Sequence, residues 1–400
     1  MQRIDTPTRP GWEEIIASQG LTYNETDLPD GTKGSYWNEA NAYVLTMDEV
    51  VNLEEQTEHL HEMACEAARF IAAEQSKPTS PFRYLSIPPE AIEYATFSLD
   101  RGDPFLYGRF DLAYSGTPGE PAKLFEYNAD TPTGLVEASI VQWYWKTHLY
   151  PEADQWNGLH EALEARFREL HTMRAWQGDM YFAFAGDEPT GEDLLTTGYL
   201  FDVAEQAGWR GNQMIEMSDI MYHHPTATFT DTHHEPIRNI FKLYPWEDMM
   251  HEHFGKFICD AKPDGWFQPA WAMFLSTKML LPALWHCYPN HENLLPAYIG
   301  SPESLDAWVK KPLHGREGDG ITIFDGEHTV TSPTHEWGEE GYVYQAYHPL
   351  PNFLSHNGKP NYPVLGSWII GDEAYGVGIR ESDGPITDPE CRFVPNLIVG

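Results

Sequence analysis

The sequence predicts an α+β fold of antiparallel sheets with packed helices, on three observations. Amphipathic helical stretches and short β-type runs are interleaved through the earlier part of the chain. The final hundred or so residues read as strands and turns, which suggests a sheet assembled from antiparallel hairpins. A length of 400 residues, 41% hydrophobic and 14% aromatic, exceeds what one small core needs and fits one large unit or two to three packed lobes.

Taken in order, Gly34-Ser35-Tyr36-Trp37-Asn38-Glu39 leads into a long helix over residues 47–73, where Val50, Leu53, Leu60, Met63, Ala67 and Ile71 recur at helical spacing. Thr46 is placed to cap it, with Glu49 three residues on. Two further helices are expected over residues 136–150 and 158–172. Strands are expected over residues 180–185, 213–216, 342–347, 364–370 and 374–379. No internal repeat or low-complexity segment interrupts the chain.

Lys and Arg number 25 against 61 Asp and Glu, a formal net charge of −36. So acidic a chain repels phosphate backbones and anionic lipid, so neither nucleic acid nor a membrane surface is an expected partner. Halophilic adaptation or plain solubility would also produce this charge. No stretch approaches the roughly 20 apolar residues that span a bilayer, and the start Met1-Gln2-Arg3-Ile4-Asp5-Thr6-Pro7 has no apolar signal core. The expectation is a soluble, cytoplasmic protein. Cys65, Cys259, Cys287 and Cys391 lack CxxC spacing and are expected as buried free thiols.

Residues 107–128 carry the most chemistry. Two strand-like runs, Gly108-Arg109-Phe110-Asp111-Leu112 and Leu124-Phe125-Glu126-Tyr127-Asn128, flank the turn-rich segment 115–121 and read as a hairpin. Alternation puts Arg109 and Asp111 on one face of their strand, and Glu126 and Asn128 on one face of the partner. Two carboxylates and an amide oxygen are hard ligands of the kind Mg²⁺ selects when phosphates and water complete its shell. The planar fork of Arg109 suits a phosphate or carboxylate oxygen. A solvated hairpin face bearing ordinary charges fits the same pattern. A second segment, Lys310-Lys311-Pro312-Leu313-His314-Gly315-Arg316-Glu317-Gly318-Asp319-Gly320, leads into the strand-like Ile321-Thr322-Ile323-Phe324. Its glycines leave backbone N–H groups free to approach phosphate, yet it is neither a P-loop nor a dinucleotide fingerprint, and a surface hairpin reads equally well.

Further landmarks are Lys242-Leu243-Tyr244-Pro245-Trp246-Glu247, Ser276-Thr277-Lys278, Tyr288-Pro289-Asn290-His291, Tyr344-Gln345-Ala346-Tyr347-His348-Pro349, Ile379-Arg380-Glu381 and Arg392-Phe393-Val394-Pro395. In that order and spacing the sequence resembles the glutathionylspermidine synthase family, specifically its ATP-grasp synthetase domain. The resemblance implies an ATP-grasp fold and one unit over residues 1–400, with a helical preATP-grasp part to about residue 105 and ATP/Mg lobes from about 106. It implies an ATP-dependent carboxylate–amine ligase: ATP phosphorylates a carboxylate, and an amine displaces phosphate to give an amide. Asp111, Glu126 and Asn128 would hold Mg²⁺, and Arg109 would face the transferring phosphoryl group. Lys278, Lys311 and Arg380 would contact ATP, the loop Gly315–Gly320, with Gly315, Arg316, Glu317 and Gly318 as its contacting residues, would close over the phosphates, and Gln345, Ala346 and Tyr347 would lie beside the adenine. Thr131 stands in Thr131-Pro132-Thr133-Gly134, where bifunctional members place serines that touch glutathione, and Asp187-Glu188 with Glu192-Asp193 align with the family's amine-binding carboxylates. The match uses the whole chain, leaving no room for the amidase domain of bifunctional members, so the short single-domain branch is the nearer likeness. A small-molecule amine and a peptide-like carboxylate are the expected partners.

His223-His224, His233-His234 and His251-Glu252-His253 offer a rival metal site, but none forms HExxH. Two other functions remain open. One is a non-catalytic acidic binder of polyamines or divalent cations on the same fold; the other is a hydrolase using the Asp111/Glu126 metal, which would not need Lys278 and Lys311.

Overall fold

The computed structural model describes residues 1–27, 32–83, 86–173, 179–186, 190–333 and 337–399. Its centre is a five-stranded antiparallel sheet in the order β20-β19-β18-β5-β6, formed by Arg392–Val394, Glu373–Ser382, Tyr362–Ile370, Tyr107–Ala113 and Lys123–Asn128. A second five-stranded antiparallel sheet runs β13-β17-β14-β15-β16, from Ala297–Ile299, Tyr342–Ala346, Trp308–Pro312, Thr322–Phe324 and Thr329–Thr331. The expected strands over 342–347, 364–370 and 374–379 fall within these sheets, and the hairpin over 107–128 is β5 with β6.

Three strands bring the chain's ends together: β4 (Asn41–Thr46) lies between β1 (Gln2–Asp5) and β21 (Asn396–Val399), antiparallel to the first and parallel to the last. Two short ribbons join β2 (Glu25–Asp27) to β3 (Lys33–Ser35) and β9 (Met221–His223) to β10 (Thr228–Thr230). A wholly parallel sheet, β12-β11-β7-β8, is built from Trp266–Phe267, Asn239–Leu243, Met180–Phe184 and Gln213–Glu216. The sequence located two of these strands but not their parallel pairing, because the partners are joined by crossovers such as α6 (Glu192–Gln206) rather than by turns.

Helix α2 (Met47–Glu74) buries Val50, Leu53, Leu60, Met63, Ala67 and Ile71, and both halves of the Thr46/Glu49 capping box are formed. It packs on β18 and β19, while α5 (Leu159–Thr172) packs on the same two strands. Covered on both faces, β5 is buried at all seven residues. Phe110 and Tyr127 stack across the hairpin with ring centroids 3.7 Å apart. The expected helix over 136–150 starts as a π-turn, Glu137–Val141, and continues as α4 (Gln142–Leu149). The remaining helices are α1 (Trp12–Ser18), α3 (Pro89–Arg101), α7 (Trp246–His251), α8 (Gly255–Ala261), α9 (Met273–Ser276) and α10 (Leu280–Cys287). All four cysteines are free, but only Cys259 and Cys391 are buried; Cys65 and Cys287 are half-buried, which corrects the expectation for those two.

Candidate active site

The hairpin register sets Asp111 opposite Glu126 and Arg109 opposite Asn128. Side-chain alternation then gathers all four on one face, as the sequence predicts. The Asn128 amide lies 3.3 Å from a carboxylate oxygen of each acid. Arg109 Nε donates to Asp111 Oδ1 at 2.8 Å and Nη2 to Oδ2 at 3.3 Å, while Nη1 reaches the Thr133 carbonyl. From β19, Arg380 also bonds Asp111 Oδ2. Arg109 is 7% and Asp111 3% exposed, so this face is not a solvated one.

Gly366 of β18 makes the crowding tolerable. It pairs with Asp111 on one side and Gly378 on the other, and a Cβ there would lie 2.8 Å from Arg109 Cδ. The sequence reading passed over this glycine; a glycine inside a strand-like run is the signal that could have found it.

Lys278 and Lys311 flank Glu126. Lys278 Nζ lies 3.2 Å from Glu126 Oε2 and also bonds the Gly315 carbonyl. Lys311 Nζ donates to Gln345 Oε1 at 2.7 Å and to the Phe125 carbonyl at 2.8 Å. Removal from water disfavours the Glu126 carboxylate, but Lys278, Lys311 and Arg380 outweigh it and hold Glu126 well below the usual carboxylate range. Burial pushes Lys311 down to about 8, against the pull of Glu126. Arg380 is held above its ordinary value: burial opposes this, but Asp111 and then Cys391 and Glu126 prevail.

On this side of the hairpin Lys278, Lys311, the loop 315–319, Gln345, Ala346, Tyr347 and Arg380 line a cavity of about 120 Å³. Gln345 does more than line it, because its Nε2 donates to the Leu124 carbonyl at 2.8 Å and ties β17 to β6. The glycine loop is packed down: Gly318 has φ +73°, and a Cβ there would stand 2.5 Å from the Thr387 carbonyl oxygen. Any L side chain at this position would be both strained and obstructed. Arg316, which also lines this cavity, pairs with Glu247 of α7 at 2.6 Å.

Adjoining it is a second cavity of about 340 Å³, which shares Glu126, Lys278, Gly315, Arg316, Glu317 and Arg380 with the first and adds Arg109, Asn128, Thr131, Thr133, Glu192, Asp193 and Glu247 among others. Its floor is braced by buried Asp130, which takes bonds from Lys242 and from the Trp246 backbone, each at 2.7 Å. Thr131 is thus on a cavity wall, whereas Asp187 and Glu188 lie outside the described residues. Among the described residues no three His, Cys, Asp or Glu side chains are grouped to hold one ion, the histidine clusters included. The hairpin offers two carboxylates and an amide instead, hard donors that leave the rest of an octahedral shell to phosphate and water. No helix among the described residues is long and apolar enough to cross a membrane.

The central antiparallel sheet that contains this hairpin and the second antiparallel sheet, with the glycine loop lining the cavity, define an ATP-grasp fold of glutathione synthetase-like type. A glutathione synthetase like-effector (GSS30) from Globodera pallida in its apo form matches with TM-score 0.54 over 98% of this chain and 100% of its own, at 10% identity, a likeness of fold alone. Residues 3–399 match the family described as glutathionylspermidine synthase preATP-grasp, and the chain belongs to that family. Among relatives, a Haemophilus influenzae protein named "Putative acid--amine ligase" is 37% identical over 98% of both chains. Trypanothione synthetase of Crithidia fasciculata is 27% identical over 84% of this chain and 53% of its own, and glutathionylspermidine synthase of the same organism is 23% identical over 89% and 58%. The chain therefore spans little more than half the length of these last two.

Proposed function

We propose that the protein is an ATP-dependent carboxylate–amine ligase that forms an amide through an acyl phosphate. One observation carries the reading: a single buried hairpin presents Arg109, Asp111, Glu126 and Asn128 on one face, where a cavity that holds Lys278 and Lys311 adjoins one that holds Glu192, Asp193 and Glu247. The names of the relatives, acid–amine ligase and two synthetases, support the same class.

Asp111, Glu126 and Asn128 are the residues that would hold Mg²⁺. When bound, the ion would neutralise phosphate oxygens during transfer. Lys278 and Lys311 bind the phosphates as point charges, and residues 345–347 border the adenine. The loop 315–318 excludes water, which would otherwise hydrolyse the acyl phosphate. Arg109 orients the phosphoryl oxygens and stabilises the oxyanion formed when the amine attacks. Thr131 and Thr133 border the carboxylate substrate, and Glu192 and Asp193 border the amine, a peptide or amino-acid acid and a cationic amine respectively.

The test is ADP release screened over carboxylate and amine pairs, glutathione with spermidine first, with product masses read directly. Release that requires both partners, with a product lighter than their sum by one water, is the expected result. Polyamine or divalent-cation binding with no ATP consumption for any pair would favour the non-catalytic binder instead.

A further inference from the structure

Glu192 is the first residue of α6 and stands half-buried on the wall of the acidic cavity that Arg109, Glu126 and Asn128 also line. Thr133 hydrogen-bonds its carboxyl, and the carbonyl of that same Thr133 holds Arg109 Nη1. One residue thus separates Glu192 from the guanidinium on the reacting face. Glu137, Asp193 and Glu317 surround it with like charge, and the hydroxyls of Tyr23 and Tyr36 and the thiol of Cys391 are within electrostatic reach.

Glu137, from the π-turn, is fully buried. Tyr23 donates to its Oε1 at 2.9 Å, while its Oε2 has no hydrogen-bond partner among the described residues. A buried carboxyl with an orphaned oxygen carries full charge badly. Burial pushes Glu137 up against the hydrogen bonds from Tyr23 and Tyr36 and the charge of Arg109, and burial first and Glu137 second push Glu192 up to about 8. A carboxylate that served only to anchor an ammonium would be better left ionised. Burial, Glu137, Asp193 and Glu317 raise the affinity of this one for a proton, against the hydrogen bond from Thr133.

We propose that Glu192, backed by Glu137, is the proton acceptor for the attacking amine. The inference rests on the ligase reading above. A primary amine reaches the acyl phosphate as an ammonium, with no free electron pair. Glu192 takes one N–H proton, and the pair so freed forms the C–N bond at the acyl carbon. The C–O bond to phosphate breaks and the phosphate leaves with its electrons. A second amine proton goes to that phosphate, giving hydrogen phosphate, and the proton on Glu192 returns to water, so each amide releases one proton. A base whose affinity for protons is set near the working pH is present in ionised form and still strong enough to act.

The experiment compares wild type, Glu192→Gln and Glu137→Gln, with the carboxylate that releases ADP fastest, and with spermidine or hydroxylamine as acceptor. Hydroxylamine is already neutral at neutral pH, so hydroxamate reports the acyl phosphate without the proton step. In Glu192→Gln the ratio of amide to hydroxamate kcat should fall by about 10²-fold. Wild-type kcat with spermidine should rise with pH through about 8, that limb should vanish in Glu192→Gln, and in Glu137→Gln it should move to lower pH. A Glu192→Gln enzyme that changes only KM for spermidine, or that loses amide and hydroxamate equally, overturns the proposal. Independently of any substrate, the ¹³C spectrum of glutamate-labelled protein should contain a carboxyl titrating near pH 8 that disappears in Glu192→Gln, and its absence also overturns it. A wild type that yields neither hydroxamate nor amide with any carboxylate speaks against the ligase reading, and the spectrum then decides this one.

Discussion

Replacing Arg109 by Lys separates a transition-state role from a structural one. Arg109 makes three polar contacts: two to the Asp111 carboxylate, through Nε at 2.8 Å and Nη2 at 3.3 Å, and one from Nη1 to Thr133 O. A lysine ammonium is a point donor that keeps one carboxylate contact and gives up the fork. Thr133 then loses a donor at a half-buried carbonyl, and Asp111 loses one of two donations from this residue while retaining Arg380. At about 1 kcal/mol for each net hydrogen bond, the loss is about 2 kcal/mol, which lowers the melting temperature but leaves a folded protein. The kinetic cost should exceed this scale. Losing one donor to a developing oxyanion typically lowers kcat by about 10²-fold or more, and charge is retained, so ATP affinity should stay nearly constant. Steady-state ADP release and calorimetric ATP titration on the same preparation give both numbers. Full turnover in a protein destabilised by about 2 kcal/mol would show that Arg109 only braces Asp111, and would refute the reasoning.

Glu126→Gln should remove the dependence of ATP affinity on Mg²⁺, read by titration with the ion and with excess chelator; an unchanged dependence would exclude Glu126 as a ligand. A cavity of about 120 Å³ is far below the roughly 300 Å³ at which small-molecule sites begin, so the glycine loop must lift to admit ATP and settle again over it. Hydrogen exchange over residues 314–320 should slow with a non-hydrolysable ATP analogue and Mg²⁺, and no change would sink the lid. Gly366→Ala sets a Cβ 2.8 Å from Arg109 Cδ and should lower kcat at least 10-fold with ATP affinity retained; wild-type kinetics would show that the strand yields instead. Lys311, pushed down to about 8 by burial, is a cation below that pH and neutral above it. ATP affinity should therefore weaken as pH rises through about 8 in wild type and stay level in Lys311→Arg; a parallel decline in both would assign the effect elsewhere.

The hairpin was legible because strand periodicity is local: polar residues at 109, 111, 126 and 128 alternate with Phe110, Phe125 and Tyr127, and the turn between them fixes which faces meet. The α2 cap was legible for the same reason, being a four-residue pattern. What alternation could not show is that the polar face of β5 is itself buried, since the groups that cover it come from distant segments: Arg380 of β19 and the Thr133 carbonyl. Glu137 was hidden differently. In a helical reading it is one polar position on an amphipathic stretch, whereas the π-turn and the approach of Tyr23, 114 residues earlier, make it a buried acid. The pairing of Arg316 with Glu247 spans 69 residues and has no local signature.

A net charge of −36 would repel ATP if charge acted only through its sum. It does not, because fields between exposed charges fade within about 10 Å at moderate salt, while buried charges act undamped at short range. Arg109, Lys278, Lys311 and Arg380 converge on Asp111 and Glu126, so buried cations stand against the two hairpin carboxylates whatever the surface carries. The adjoining cavity adds Glu192, Asp193 and Glu247 to the lining it shares with the first. On the proposed ligase reading, a cationic amine would be favoured by the protein's long-range field and by these carboxylates alike, whereas ATP would be favoured only at the buried cations of the hairpin.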